Sequence, residues 1–313
     1  ADDMEAIATG GAFLGTGGGG DPYIGKLMAQ AAIAEYGPVK VIDVEDVADD
    51  ALCVPVCMMG APTVMVEKLP NGREAREALA QLEAFLGRKA DALICVEAGG
   101  LNSTIPFAVA SATGLPLIDG DGMGRAFPEI QMVSFTMQDV SATPMVIADE
   151  KGNSSVLNTV SNVWTGRLAR VQTVQMGGSA LVALYPMSGV EVKKSILRNT
   201  LSLIREIGQT IASEKANRRN PAEALIRRLD GKRLMTGRVV DIERRTEGGF
   251  ARGAATLKGM DQDEGRTFKV HFQNEFLIAL NDRDEMLAVT PDLICALDAD
   301  GGLPVTTEQL RFG

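Results

Sequence analysis

Three stretches of the chain, 51–59, 92–96 and 115–118, are almost wholly apolar, and each runs straight into a polar loop rich in glycine. A strand buried on both faces reads as an unbroken apolar run, whereas a strand with one wet face alternates. Helix-like segments separate these runs. Residues 73–87 carry Leu79, Leu82 and Leu86 near helical spacing, and 104–113 follows the second strand. Repeated strand, helix, strand order of this kind predicts an α/β domain with a mostly parallel sheet. Further helices are expected at 2–14, 23–36, 162–170, 190–212 and 221–229, and further strands at 39–44, 132–135 and 179–185.

From about residue 234 the pattern changes to short strands at 236–242, 250–257, 267–272, 276–280 and 293–298. Turn signals such as Glu247-Gly248-Gly249, Asn281-Asp282 and Asp300-Gly301-Gly302 punctuate them. The reading is therefore an α/β domain over residues 1–165, continued by about 166–230, and a smaller β-rich domain over 231–313. Residues 309–313 read as the start of a strand, so the end of the second domain is expected beyond them.

Composition narrows the function. Of 313 residues, 41 are Asp or Glu and 31 Lys or Arg, a net charge of -10. Such a chain repels a phosphate backbone on average, and no nucleic-acid partner is expected. The basic stretch from Lys215 to Arg233 is diluted by Glu214, Glu223 and Asp230 and reads as a solvated helix face. Four scattered cysteines form no CxxC pair or zinc spacing, which fits reduced thiols and a cytoplasmic setting. No apolar run reaches the ~18 residues of a membrane span. The partner expected is a small molecule, with a homo-oligomer left open.

Four loops carry candidate chemistry. In Gly15-Thr16-Gly17-Gly18-Gly19-Gly20-Asp21, consecutive glycines allow positive φ and close approach, and amides before a helix start suit an anion. The loop lacks the lysine of the GxxxxGK[ST] phosphate pattern, and a plain turn is the alternative. In the second loop Cys57 ends a buried strand before Gly60, and Glu67 follows. Cys57 is a nucleophile if its pKa is lowered and inert packing otherwise. In the third, Glu97 emerges from an apolar strand, a costly place for a carboxylate without a partner or a role. Asn102 there is either a ligand or the cap of the next helix.

The fourth loop, Asp119-Gly120-Asp121-Gly122-Met123-Gly124-Arg125, is the densest. Asp119 and Asp121 are candidates for acid and base or for a divalent metal, Arg125 for a substrate carboxylate, and Glu129 for a binding role. Turn hydrogen bonds and an Arg125–Glu129 ion pair are the structural alternative. The single histidine, His271, lies in a strand-like stretch, and no GxSxG elbow accompanies it. Gln273-Asn274-Glu275 is a polar trio placed just before an apolar strand.

LGTGGGGDPY (14–23), MMGAPTVMVEK (58–68), CVEAGGLN (95–102), DGDGMGRAFPE (119–129), QNE (273–275) and TPDLICALD (290–298) run in order across nearly the whole chain. In these motifs it resembles a bacterial family first catalogued as a domain of unknown function and now named for S-methyl thiohydantoin desulfurase. The resemblance implies hydrolysis of the C–S bond at C2 of a thiohydantoin, leaving a hydantoin and a thiol. It also implies an α/β domain followed by a mostly β domain. On that footing Glu97 or Asp121 is the expected base, with Asp119 positioning water or a metal. Arg125 would hold a side-chain carboxylate with help from Thr16, Gly17, Gly18 and Gly19, and Cys57 is the covalent alternative. Rival readings are a non-catalytic accessory subunit and a nucleotide-binding enzyme. The enzymatic reading requires 16–20, 97–102 and 119–129 to meet at one cavity.

Overall fold

A computed structural model describes residues 2–61, 64, 68, 70–248 and 250–313. The first domain contains, in chain order, α1 (Asp3–Leu14), α2 (Pro22–Tyr36), β1 (Val41–Ile42), β2 (Leu52–Gly60), α3 (Glu74–Leu86), β3 (Ala92–Ile94) and α4 (Ile105–Thr113). Next come β4 (Leu117–Ile118), β5 (Gly120–Asp121), α5 (Ser134–Met137), β6 (Met145–Ala148), β7 (Ser154–Leu157) and α6 (Asn162–Gln175). It ends with β8 (Ser179–Ala183), β9 (Met187–Ser188), α7 (Gly189–Ser195), β10 (Leu197–Arg198), α8 (Thr200–Ala216) and α9 (Pro221–Leu229). The second contains β11 (Gly237–Glu247), β12 (Phe250–Gly259), β13 (Thr267–Gln273), β14 (Glu275–Leu280) and β15 (Met286–Val289).

The two-domain α/β plus β expectation holds. The main sheet runs β1-β4-β3-β2-β8-β6-β7. Its β1, β4, β3 and β2 are mutually parallel, and β8, β6 and β7 extend it antiparallel. Alternation along β2 builds both cores. Val54, Val56 and Met58 pack with α1, α3, α4 and α8, whereas Cys53, Cys57 and Met59 pack with α5, α6 and α7 on the other face. Because β8 and β9 pair with β2, residues beyond 165 complete the first sheet. The second domain is an antiparallel meander in chain order, β11 to β15, with its own small core around Phe272, Phe276 and Ile294.

α1 and α8 meet backbone to backbone. A Cβ on Gly10 would lie 1.8 Å from the Ile204 carbonyl oxygen, and one on Gly208 would lie 1.9 Å from that of Ala6. This contact fixes the helix that leads into the glycine loop.

Several expected elements differ. Residues 132–135 form a turn and the start of α5 rather than a strand. The single helix expected at 190–212 is broken at Ile196–Asn199, where Leu197 and Arg198 pair with Asp121 and Gly120 and Asn199 takes φ +60°. Residues 293–298 form no strand beyond one bridge, Leu297 to Pro304, and 309–313 are turn and coil. β6 and β7, only four residues each, lay outside the expected elements; β7 alternates weakly at a sheet edge. Among the described residues no helix is long and apolar enough to cross a membrane.

Candidate active site between the domains

The cleft lies beyond the carboxyl ends of the parallel strands, where open α/β sheets place ligands. It encloses about 60 Å³, enough for several waters. Gly19 and Gly20, Cys57 to Gly60, Val96, Glu97 and Asn102 line one part. Met123, Phe127 to Ile130, Val133 and Arg170 line another, and Asn274 and Glu275 of the second domain close it. All three segments required to converge do so, and two unanticipated elements, α6 and the β13–β14 turn, join them.

Glu97 stands just past β3 and is 8 % exposed. Its Oε1 accepts the Asn102 amide at 2.6 Å and its Oε2 the Phe127 N–H at 3.1 Å. Burial pushes its pKa up to about 7, while the Asn102 and Phe127 donors pull the other way and Asp121 adds to the rise. Asn102 is itself fixed. Its Oδ1 accepts the Met58 N–H (2.8 Å) and its Nδ2 also reaches the Met58 carbonyl (3.2 Å). It is thus a strut between β2 and Glu97, and the residue that precedes α4 is Thr104, whose side chain makes no capping bond.

The glycine loop is a joint, not an anion cradle. Gly19 and Gly99 touch at their Cα atoms, so a Cβ on Gly19 would lie 2.4 Å from Gly99 Cα, and the Gly19 carbonyl accepts the Leu101 and Asn102 N–H groups. The Thr16 carbonyl accepts the Phe276 N–H (2.7 Å), and the Gly17 carbonyl accepts the Thr307 N–H (2.9 Å) and hydroxyl (3.1 Å). Asp21 caps α2 through Tyr23 and Ile24 N–H, so a carboxylate already holds the helix start that a phosphate would use. Thr16, Gly17 and Gly18 are therefore corrected from substrate binding to interdomain contact; Gly19 alone of the four expected loop residues lines the cleft, joined by Gly20.

The acidic loop is corrected as well. Asp119 accepts the backbone N–H and hydroxyl of Ser202 and so caps α8, whose own cap residue Asn199 makes no side-chain bond. Asp121 Oδ1 accepts the Met123 and Gly124 N–H groups at 2.7 and 2.6 Å and holds the turn. Neither carboxylate lines the cleft. Among the described residues no three His, Cys, Asp or Glu side chains cluster to hold a metal, and these two carboxylates accept from the turn amides and from Ser202.

Arg125 does not line the cleft either. It donates to the carbonyls of Pro291 (2.8 Å), Asp292 (3.0 Å) and Ala126, and to the Thr16 hydroxyl. Its guanidinium is spent clamping the second domain. Arg170 of α6 is the arginine that lines the cleft, lying over the Phe250 ring at 3.9 Å, bonded to the Pro128 carbonyl and 3.9 Å from Glu129. Glu129 thus faces Arg170 rather than Arg125.

Cys57 lines the wall, but burial, with Glu97 nearby, pushes its thiol well above the ordinary range, the reverse of what a nucleophile needs. Gly60 lines the cleft with φ +148°, and a Cβ there would strike the Gly178 carbonyl oxygen. Glu67 lies outside the described residues. His271 pairs within the meander and does not reach the cleft.

Sequence reasoning missed Arg170 and Glu275 as site residues. Arg170 is one of two arginines, with Arg167, on a plain helix. Glu275 had a faint signal, a polar trio ahead of an apolar strand. Asn274 takes φ +58° and pairs with Ala251 through its N–H and side-chain oxygen, which turns the chain so sharply that Gln273 pairs with Glu275. Asparagine tolerates that left-handed conformation.

No curated protein matches the chain. A crystal structure of a protein from Chromobacterium violaceum matches with a TM-score of 0.74 and 25% identity, covering 96% of this chain and 83% of that one. The family model for the S-Me-THD-like N-terminal domain matches residues 2–159, and that for the S-Me-THD-like C-terminal domain matches 160–313. With both models covering it end to end, the chain belongs to the S-Me-THD-like family, the S-methyl thiohydantoin desulfurase-like proteins.

Proposed function

We propose that this protein is a hydrolase that breaks the C–S bond at C2 of a thiohydantoin-like five-membered ring and releases a thiol. The observation that carries the reading is Glu97, a carboxylate fixed by two donors inside an otherwise largely apolar cleft. A group whose pKa lies near 7 is half ionised at neutral pH and serves well as a general base. In this role Glu97 takes a proton from the water that attacks C2. The walls of Met58, Met59, Val96, Ile130 and Val133 suit a flat, weakly polar ring. Arg170 suits an anionic substituent on that ring, the task first expected of Arg125. The substrate class itself is suggested by the family.

The test is thiol release from an S-methyl thiohydantoin by the purified chain, followed with a thiol reagent. The wild type is expected to turn over, and Glu97→Gln to be slower by roughly 10²–10⁴, the usual worth of a positioned base. Binding of the ring without thiol release would instead support a non-catalytic accessory protein.

A further inference from the structure

We propose that Glu275, supplied by the second domain, is the general acid that protonates the departing sulfur, so that each domain contributes one partner of an acid–base pair. The inference rests on the hydrolase reading and deepens it.

The geometry begins at the β13–β14 turn, which delivers Glu275 into the same cleft as Glu97. Glu275 is 2 % exposed, and its Oε2 has no hydrogen-bond partner. Gly18 leaves room for it, since a Cβ there would lie 2.1 Å from Glu275 Oε1. The two carboxyls are therefore treated differently. Both Glu97 oxygens receive donors, which suits an anion, whereas a buried oxygen without a donor suits a neutral acid whose O–H awaits an acceptor. Two carboxyls buried in one cavity do not both ionise cheaply. Burial, then Glu97, pushes Glu275 well above the ordinary carboxylate range. The other charged groups facing it are Arg125 and Arg170, which favour the anion, and Glu308, which opposes it.

The step balances without a further reactant. Water attacks C2, one of its protons passes to Glu97, and the C=N electron pair moves to the ring nitrogen. The C–S bond then breaks with its electron pair going to sulfur, which takes the proton of Glu275. The C2 hydroxyl becomes the carbonyl and returns its proton to Glu275, while Glu97 hands its proton to the ring nitrogen. The products are a hydantoin and a thiol.

The test uses the full chain and thiohydantoins whose S-substituent leaves with falling basicity: methyl, phenyl and nitrophenyl. Glu275→Gln is expected to lose roughly 10²–10⁴ with S-methyl and less than about tenfold with S-nitrophenyl, because a good leaving group needs no proton. Glu97→Gln should lose similarly across the series. Gly18→Ala, which displaces the carboxyl without changing it, should follow the Glu275→Gln pattern and covers the case in which that variant does not fold. Infrared spectra of ligand-free wild type at pH 9, where Glu97 and Asp121 are ionised, should contain a protonated carboxyl band that Glu275→Gln loses. A loss that is uniform across leaving groups, or no such band, overturns the assignment. A wild type that shows the band yet releases no thiol from any of the three overturns the hydrolase reading, and the role of Glu275 with it.

Discussion

Two pairs of acids in this molecule have opposite fates. Asp119 and Asp121 sit two residues apart in a glycine-rich loop, yet one caps α8 through Ser202 and the other holds its own turn. Glu97 and Glu275 come from different domains and line one cleft. The two arginines divide the same way. Arg125, inside the dense motif, grips the backbone of the second domain, and Arg170, on an unremarked helix, lines the cavity. Short-range acid clusters answer local demands, because Asp side chains satisfy neighbouring N–H groups. Chemistry at a cleft needs side chains brought together by the fold.

That contrast can be broken by kinetics and melting curves measured together. The largest gap is expected between Glu97→Gln, down by roughly 10²–10⁴ in kcat/KM, and Asp119→Ala, whose rate should stay near wild type. A comparable loss at Asp119 would return the acidic loop to the active site. Next, Arg170→Met should raise KM for carboxylate-bearing rings by about 10- to 100-fold, the worth of one charge-assisted contact. Arg125→Met should leave KM close to wild type but cost roughly 3 kcal/mol in stability, since four acceptors lose their donor.

The pH profile sharpens the same comparison. Glu97 acts as a base only when ionised, so kcat/KM should fall about tenfold per pH unit below about 7. Its pKa is higher in the folded chain than its ordinary value of 4.5, so folding favours the protonated form. The associated stability is present in full below that value and is lost as pH climbs to about 7, about 3 kcal/mol in all. Urea titrations at several pH values should show this slope in wild type and a shallower one in Glu97→Gln. The smallest effect is the lost cap in Asp119→Ala, about 1 kcal/mol in urea titration.

Much of the fold was legible because buried strands leave a strong mark. The apolar runs at β2 and β3 announced the parallel core, and the turn signals announced the meander. β6 and β7 are too short to show a period. The break before α8 arises because residues 197 and 198 pair with β5, a tertiary demand with no local cue. At the site, Glu97 was legible from its place at a strand end. Asn102 was noticed, but its bonds to Met58 could not be read from spacing. Arg125 was misread because a guanidinium near glycines and acids looks free until its carbonyl acceptors, more than 160 residues away, are seen. Glu275 needed the partner domain to be in place before its carboxyl had a cavity to face.

The carbonyls of Thr16 and Gly17 bond to the second domain, at Phe276 and Thr307, while Gly19 leans on the loop after β3. Anything occupying the cleft therefore touches both halves of the chain and acts as mortar between them. By linkage, a ligand at 100 times its Kd adds about 2.7 kcal/mol to the ligand-competent, docked arrangement. Loosening the seam weakens ligand binding by whatever fraction of molecules stands open.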